Sequence, residues 1–119
     1  MIVRLPYPPS TNRMWRIYNG RSVLSAEGAA FKRAAAWAAK AAGAQVLTGP
    51  VQVSMKLHPR TTAKGTASGT VLDLDNALKC ALDALQGVAY ENDKQVKRLA
   101  IEYGEPLDGG GVTVIVIAY

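Results

Sequence analysis

Asp73, Asp75 and Asp93, together with Lys79, are the side chains of greatest chemical consequence in a sequence that spends only 9 acids against 14 lysines and arginines. The run Asp73-Leu74-Asp75-Asn76 opens an apolar periodicity, so it reads as a helix entry with Asp73 still extended and Asp75 in the first turn. Two residues apart inside a helix these carboxylates would diverge; with Asp73 outside it, both can address one pocket. Like charges that close repel unless a cation lies between them. Mg²⁺ suits such a place, because it takes oxygen ligands, keeps several waters and is held by one or two carboxylates plus substrate phosphate. Asp93, returned by the turn after the helix, would complete the set. Lys79 follows Asp75 by one turn and can reach the rim, there to neutralise a phosphate oxygen or charge building in a transition state. The same residues also admit a plainer account: Asp73 as a simple N-cap, and Asp75 with Lys79 as a surface pair worth about 0.3–0.5 kcal/mol. Spacing leaves both open.

The elements that must position these residues follow from local pattern. Ile2 to Leu5 is a short strand that Pro6 ends or confines to an edge. Pro6-Tyr7-Pro8-Pro9-Ser10-Thr11-Asn12 is a stiff, non-helical arm. It either presents Asn12, Arg13 and Arg16 to a ligand or serves as an ordinary connection. Asn19-Gly20 predicts a two-residue hairpin between Trp15–Tyr18 and Arg21–Leu24, with Arg13, Arg16 and Arg21 near one another. Ser25 caps an alanine-rich helix that runs to about Ala42 before Gly43, with Phe31, Ala34, Ala35, Ala38 and Ala42 as its buried stripe. Trp37 is expected at the edge of the core. Val51 to Leu57 alternates as a strand with a polar face. His58, the only histidine, is expected to be structural; the thirteen residues from His58 to Thr70 form a loop expected to act as a basic flap through Arg60 and Lys64.

The second helix spans Leu74 to Leu85, with Leu74, Leu78, Ala81, Leu82 and Leu85 buried, and Gly87 ends it. Val96 to Tyr103 and Val112 to Tyr119 are strands, with Gly109–Gly111 as the hairpin loop between them. The fold class is therefore α+β (mixed α/β): a single mixed sheet of about four strands plus a small N-terminal hairpin, packed by two helices, in one domain over residues 1–119.

Bulk numbers narrow the partners. A net charge of +5 and a pI near 9.6 favour a polyanion such as nucleic acid. One cysteine, Cys80, gives neither a disulfide nor a zinc site. No apolar run approaches the roughly 18 residues of a membrane span, and no leader pattern opens the chain. A soluble, cytoplasmic protein without a small-molecule cofactor is expected, and the compact, alanine-rich chain is compatible with a bacterial, phage or prophage gene.

Taken in order, Leu5-Pro6-Tyr7-Pro8-Pro9-Ser10-Thr11-Asn12, Val23-Leu24-Ser25-Ala26-Glu27-Gly28, Asp73-Leu74-Asp75-Asn76 with Lys79, and Asn92-Asp93-Lys94-Gln95-Val96 resemble the RusA family of Holliday junction resolvases. The resemblance implies a small homodimeric, Mg²⁺-dependent endonuclease (Mn²⁺ as the alternative ion) that nicks two opposed strands of a four-way DNA junction in recombination and repair. It implies that the family's essential acids fall on Asp73, Asp75 and Asp93 as metal ligands, that its functional lysine falls on Lys79, and that Asn76 supports the site from behind. DNA contacts are expected from Asn12, Arg13, Arg16, Arg21, Arg60, Lys64, Lys94, Lys97 and Arg98. One departure stands out: the family carries a basic cluster directly before the Asp-Leu-Asp-Asn run, where this chain has Val71-Leu72. That puts DNA affinity and junction selectivity in question more than chemistry. Two alternatives share many of these features: a non-catalytic protein that grips branched DNA, and a metal nuclease acting on flaps or duplex.

Overall fold

The computed structural model describes residues 1–119. Four strands, β1 (Ile2–Leu5), β4 (Val51–His58), β5 (Val96–Tyr103) and β6 (Gly111–Ala118), form one mixed sheet in the order β1-β6-β4-β5. A separate two-stranded ribbon joins β2 (Trp15–Tyr18) to β3 (Arg21–Leu24). Three helices accompany them: α1 (Thr11–Met14), α2 (Ala26–Ala41) and α3 (Leu74–Leu85). The mixed sheet with a small hairpin is the expected class, and the second long helix has the expected bounds.

The topology corrects one expectation. Val96–Tyr103 and the last strand are not a hairpin: β5 pairs β4 in parallel through the α3 crossover, while β6 inserts between β1 and β4 antiparallel to both. The glycine cluster is thus a connection that passes from the sheet's edge to its interior. Sequence pattern gives strand existence but not partner, and a βαβ unit needs a crossover of a dozen or more residues, which α3 and its flanking turns supply.

Alternation on the central strands fixes the layers. Val51, Val53, Met55 and Leu57 of β4 and Val112, Val114 and Val116 of β6 are buried on one face, beneath α2 and α3. The opposite face carries Gln52, Ser54, Lys56, Thr113 and Ile115 and has no helix over it. Both helices bury mainly small residues, Gly28, Phe31, Ala35 and Ala39 from α2 and Ala77, Cys80, Ala81, Ala84 and Leu85 from α3. The expected stripes are therefore rotated by about one position: Ala42 is exposed, and Leu74, Leu78 and Leu82 lie half-buried on a flank. Small side chains let the two helices approach each other and the sheet closely, and the leucines fill the margins. Trp37 is 75% exposed, not at the core's edge, and stands beside Arg33 and Lys40.

The arm also differs from expectation, because Thr11 to Met14 forms one helical turn that buries Met14. The hairpin turn is as predicted, with Asn19 at φ 50° and Gly20 at φ 74°. Ser25 caps α2 by accepting from the Gly28 amide at 2.9 Å. A Cβ on Gly28 would lie 2.3 Å from the Met14 carbonyl oxygen, so glycine is what permits α2 to meet the arm this closely. His58 is structural, as expected: it is 1% exposed, its Nδ1 donates to the Glu105 carbonyl and its Nε2 accepts from the Thr113 hydroxyl, both at 2.8 Å. The loop after it closes on itself through a Thr61–Ala67 bridge and a Thr62 to Thr66 amide bond of 2.7 Å, leaving Lys64 exposed near its tip.

Candidate active site

The entrance of α3 is held by neutral groups. Asn76 Oδ1 accepts from the Thr11 amide at 2.7 Å, which ties the arm's helical turn to the first turn of α3. The Leu72 amide donates to the Tyr7 hydroxyl at 2.8 Å, and the Tyr103 hydroxyl donates to the Leu72 carbonyl at 2.9 Å. One turn further in, the Cys80 thiol donates to the Pro9 carbonyl at 3.2 Å. Burial pushes that thiol up to about 11, so it is an inert packing group. Arm, strand end and helix entrance are thus one braced unit, with Asn76 as its hinge pin.

The acids stand outside this bracing. Asp73 occupies the N-cap position but makes no side-chain capping bond. Asp75, in the first turn, is exposed, and so is Lys79; the chain's ion pairs lie elsewhere, between Arg13 and Glu27 and between Lys56 and Glu102. Neither half of the plainer account of these residues is realised. Asp73 and Asp75 remain two uncommitted carboxylates at the mouth of a helix whose first-turn amides favour negative charge.

Asp93 is placed differently from expectation. It begins a short 3-10 turn (Asp93–Gln95), and its amide donates to Gln86 Oε1 at the far end of α3. A helix of 12 residues is about 18 Å long, so Asp93 and Asp73 belong to opposite ends of it. No three His, Cys, Asp or Glu side chains of the chain gather closely enough to hold a metal ion. The turn after α3 does bring Asp93 back, but to Asp83: desolvation, and then the Asp93 charge, raise the Asp83 carboxyl above its usual range, with Lys79 and Lys32 pulling the other way.

A cleft of about 510 Å³ opens beside the entrance, between the proline arm, the first half of α2 and Thr70–Leu72. Arg13 and Arg60 line it. Arg13 is engaged by Glu27 at 2.6 Å. The Arg60 guanidinium lies 4.0 Å from the centre of the Tyr7 ring, the same ring whose hydroxyl holds Leu72. A cation from the upstream loop is thereby delivered next to the position where the basic cluster is missing. Stacking on an aromatic face orients it without consuming its hydrogen-bond donors. Sequence reasoning misses this role of Tyr7, whose only trace is its place in the Leu5–Asn12 motif. Asn12 is exposed on α1, Arg16 and Arg21 on the hairpin, Lys94 in the 3-10 turn, and Lys97 and Arg98 on β5.

What fold and site define together is a class: a small mixed-sheet domain with paired carboxylates at a helix mouth and a cation-lined cleft beside them. Residues 6–117 match the family model described as Endodeoxyribonuclease RusA. Among curated proteins, the chain is 33% identical over 102 residues to the crossover junction endodeoxyribonuclease RusA of Escherichia coli O139:H28 (strain E24377A / ETEC), a match covering 85% of this chain and 77% of that protein. It is 37% identical over 89 residues to the protein of the same name from Escherichia coli (strain K12), and 34% identical over 89 residues to that of Enterobacteria phage 82, in both cases covering 74% of this chain and 68% of the relative. The chain belongs to the RusA endodeoxyribonuclease family. No helix in it is long and apolar enough to cross a membrane.

Proposed function

We propose that this protein is a divalent-cation-dependent endonuclease that resolves four-way DNA junctions in recombination and repair. The observation that carries the reading is the pair Asp73 and Asp75, exposed and uncommitted at a helix mouth that neutral hydrogen bonds hold rigid. Relatives bearing the name crossover junction endodeoxyribonuclease supply the reaction class and a branched substrate. Hard carboxylate oxygens suit Mg²⁺ or Mn²⁺, and two carboxylates are enough for an ion that also keeps waters and takes substrate phosphate. Bound there, such an ion supplies Lewis acidity to the scissile phosphate and lowers the pKa of its water.

The chain's own residues do the rest. Asp73 and Asp75 hold the ion; Lys79, one turn on, stabilises negative charge as it accumulates on the phosphate. Arg60, stacked on Tyr7, and Asn12, Arg16, Arg21, Lys64 and Lys94 meet the backbone of the DNA arms. Paired cuts need two sites related by a two-fold axis, so the working unit is a homodimer. Asp93, at the other end of α3, then joins Asp73 and Asp75 only as Asp93 of the partner subunit.

The test compares wild type and Asp75→Asn on a synthetic four-way junction and on a linear duplex of the same sequence, each with and without Mg²⁺. Wild type should cut the junction symmetrically, only with Mg²⁺, and spare the duplex; Asp75→Asn should bind the junction at least as tightly and cut neither. Equal cutting of both substrates would replace junction resolution with a general nuclease.

A further inference from the structure

The largest side chain of α2 does not pack. Trp37 is 75% exposed, in a helix that buries Gly28, Phe31, Ala35 and Ala39. Helical geometry puts Arg33, Trp37 and Lys40 within an arc of about 60°, on the side of α2 opposite that buried stripe. Arg33 comes one turn before the indole and Lys40 one turn after it, about 10 Å apart along the axis. The three, with Ala36, line a hollow of about 240 Å³, the volume of roughly eight waters. Neither cation is in an ion pair, and the arginines that stack on aromatic rings are Arg16 and Arg60, not Arg33. The indole, the guanidinium and the ammonium are all unspent.

The charge around this face has one sign. Between Glu27 and Asp73 the chain has no acid and six lysines and arginines. Glu27, the acid of α2, is held by Arg13 at 2.6 Å. Lys32 lies towards α3, where it acts on Asp83, so Arg33 and Lys40 alone serve the outer face. The apolar side of the patch is equally plain. Apart from Trp37, the outward residues near it are alanines, Ala29, Ala30, Ala36 and Ala41. A protein interface needs a core of several large apolar residues, and a membrane-surface helix needs a broad apolar face; this face offers neither. One flat aromatic ring between two cations suits a base with a phosphate on each side of it.

We propose that the outer face of α2 is a second DNA site, which takes single-stranded DNA by stacking an unpaired base on Trp37 while Arg33 and Lys40 hold the flanking phosphates. The strand must be unpaired there, because bases inside a duplex are already stacked on their neighbours and present only their edges in the grooves. Membership of an endodeoxyribonuclease family makes the polymer DNA. The site lies on a different helix from Asp73, Asp75 and Lys79 and uses none of them, so it holds whether or not those residues cut junctions. It would let the protein engage branched DNA that carries an unpaired stretch beside its paired arms.

The test titrates the full chain onto a labelled thymidine oligonucleotide, onto a linear duplex, and onto a fully paired four-way junction in a cleavage assay. Trp37→Ala should weaken single-strand binding by about 5- to 150-fold, the range for one stacked base. It should leave duplex binding and junction cutting at the wild-type level. Trp37→Phe keeps a ring and should recover most of the affinity. Arg33→Gln and Lys40→Gln should each reduce the slope of log affinity against log salt by about 0.7, as for one phosphate of a single strand. In Trp15→Phe, where Trp37 is the remaining tryptophan, indole emission should be quenched as the oligonucleotide is added. An unchanged single-strand affinity in Trp37→Ala overturns the proposal. So does an equal loss on duplex, an RNA strand held more tightly than the DNA one, or a fall in the mass of the free protein on Trp37→Ala, which would make this face a contact between copies.

Discussion

The two ends of α3 use the same residue types for opposite purposes. At the entrance, Asp73 and Asp75 are left free while Asn76, Tyr7, Tyr103 and Cys80 make the bonds. At the exit, the polar groups are spent on scaffolding: Asn92 and Gln95 form a capping box, Gln95 Nε2 donates to the Leu47 and Gly49 carbonyls at 2.8 Å, and the Tyr90 hydroxyl donates to the Leu82 carbonyl at 2.6 Å. Asp83 there is half-buried, and its carboxyl is pushed upward by desolvation and by Asp93. An acid that is partly desolvated and set against another acid favours its proton, while the exposed pair at the entrance is left without a bonding partner by the neutral groups that brace it. The contrast separates a site from its support without reference to motif.

The contrast breaks most visibly in catalysis. Asp75→Asn should lower Mg²⁺-dependent junction cutting by more than about 100-fold, beyond the usual cost of losing a group that merely supports a metal ligand. Asp83→Asn, at the other end, should leave the rate within a few-fold. Mixing Asp75→Asn chains with Asp93→Asn chains sharpens this further. If Asp93 serves the partner's acids, each mixed dimer contains one fully wild-type site and nicks a single strand. If all three acids served one chain, every site in the mixture would be dead.

Breaking the brace has the next largest effect. Asn76→Ala leaves the part-buried Thr11 amide without an acceptor and should cost about 1–3 kcal/mol in denaturant unfolding. Asn76→Asp keeps the acceptor oxygen and should recover most of that stability. Equal losses in the two variants would mean that the bond to Thr11 does not hold the arm.

Arg60 tests the cleft rather than the helix. Arg60→Ala should weaken junction binding and reduce the slope of log affinity against log salt by about 1, as expected for one phosphate contact. Arg60→Lys should keep the salt slope but lose the stacked orientation on Tyr7, giving an intermediate affinity. Unchanged slope and affinity in Arg60→Ala would remove the loop's part in replacing the missing cluster at Val71-Leu72.

Much of the scaffold was legible because it is written locally. Ser25 announces the start of α2, Asn19-Gly20 the ribbon turn, and the period from Leu74 to Leu85 the whole of α3. What was not legible depends on partners distant in sequence. Hydrophobicity selected the leucines of α3 for the core, whereas close packing against Ala35 and Ala39 selected its alanines and Cys80. Strand pattern could not tell that β6 would insert between β1 and β4, since register and neighbour are set by tertiary contact. The acids were legible as a group, but their division between two ends of one helix was not: sequence distance after a turn says nothing of which end the chain returns to.

The smallest expected effect is also the most direct measure of the difference between the two ends. The Asp83 carboxyl has its folded-state pKa raised from the ordinary 3.8, first by desolvation and then by Asp93. A raised carboxyl favours folding while it is protonated, and that contribution is lost as pH rises through the shifted value. Near neutral pH Asp83 therefore opposes folding, and Asp83→Asn should raise the melting temperature. Solvent screening at this half-buried position keeps the gain below about 1 kcal/mol. Below pH 3.8, where Asp83 is protonated in folded and unfolded chains alike, the two proteins should melt together. Asp93→Asn removes the second cause and should narrow the gap at neutral pH. Melting curves of wild type and both variants across this range decide the point: a gap that does not change with pH would assign the effect to packing, and the electrostatic distinction between the ends of α3 would fall.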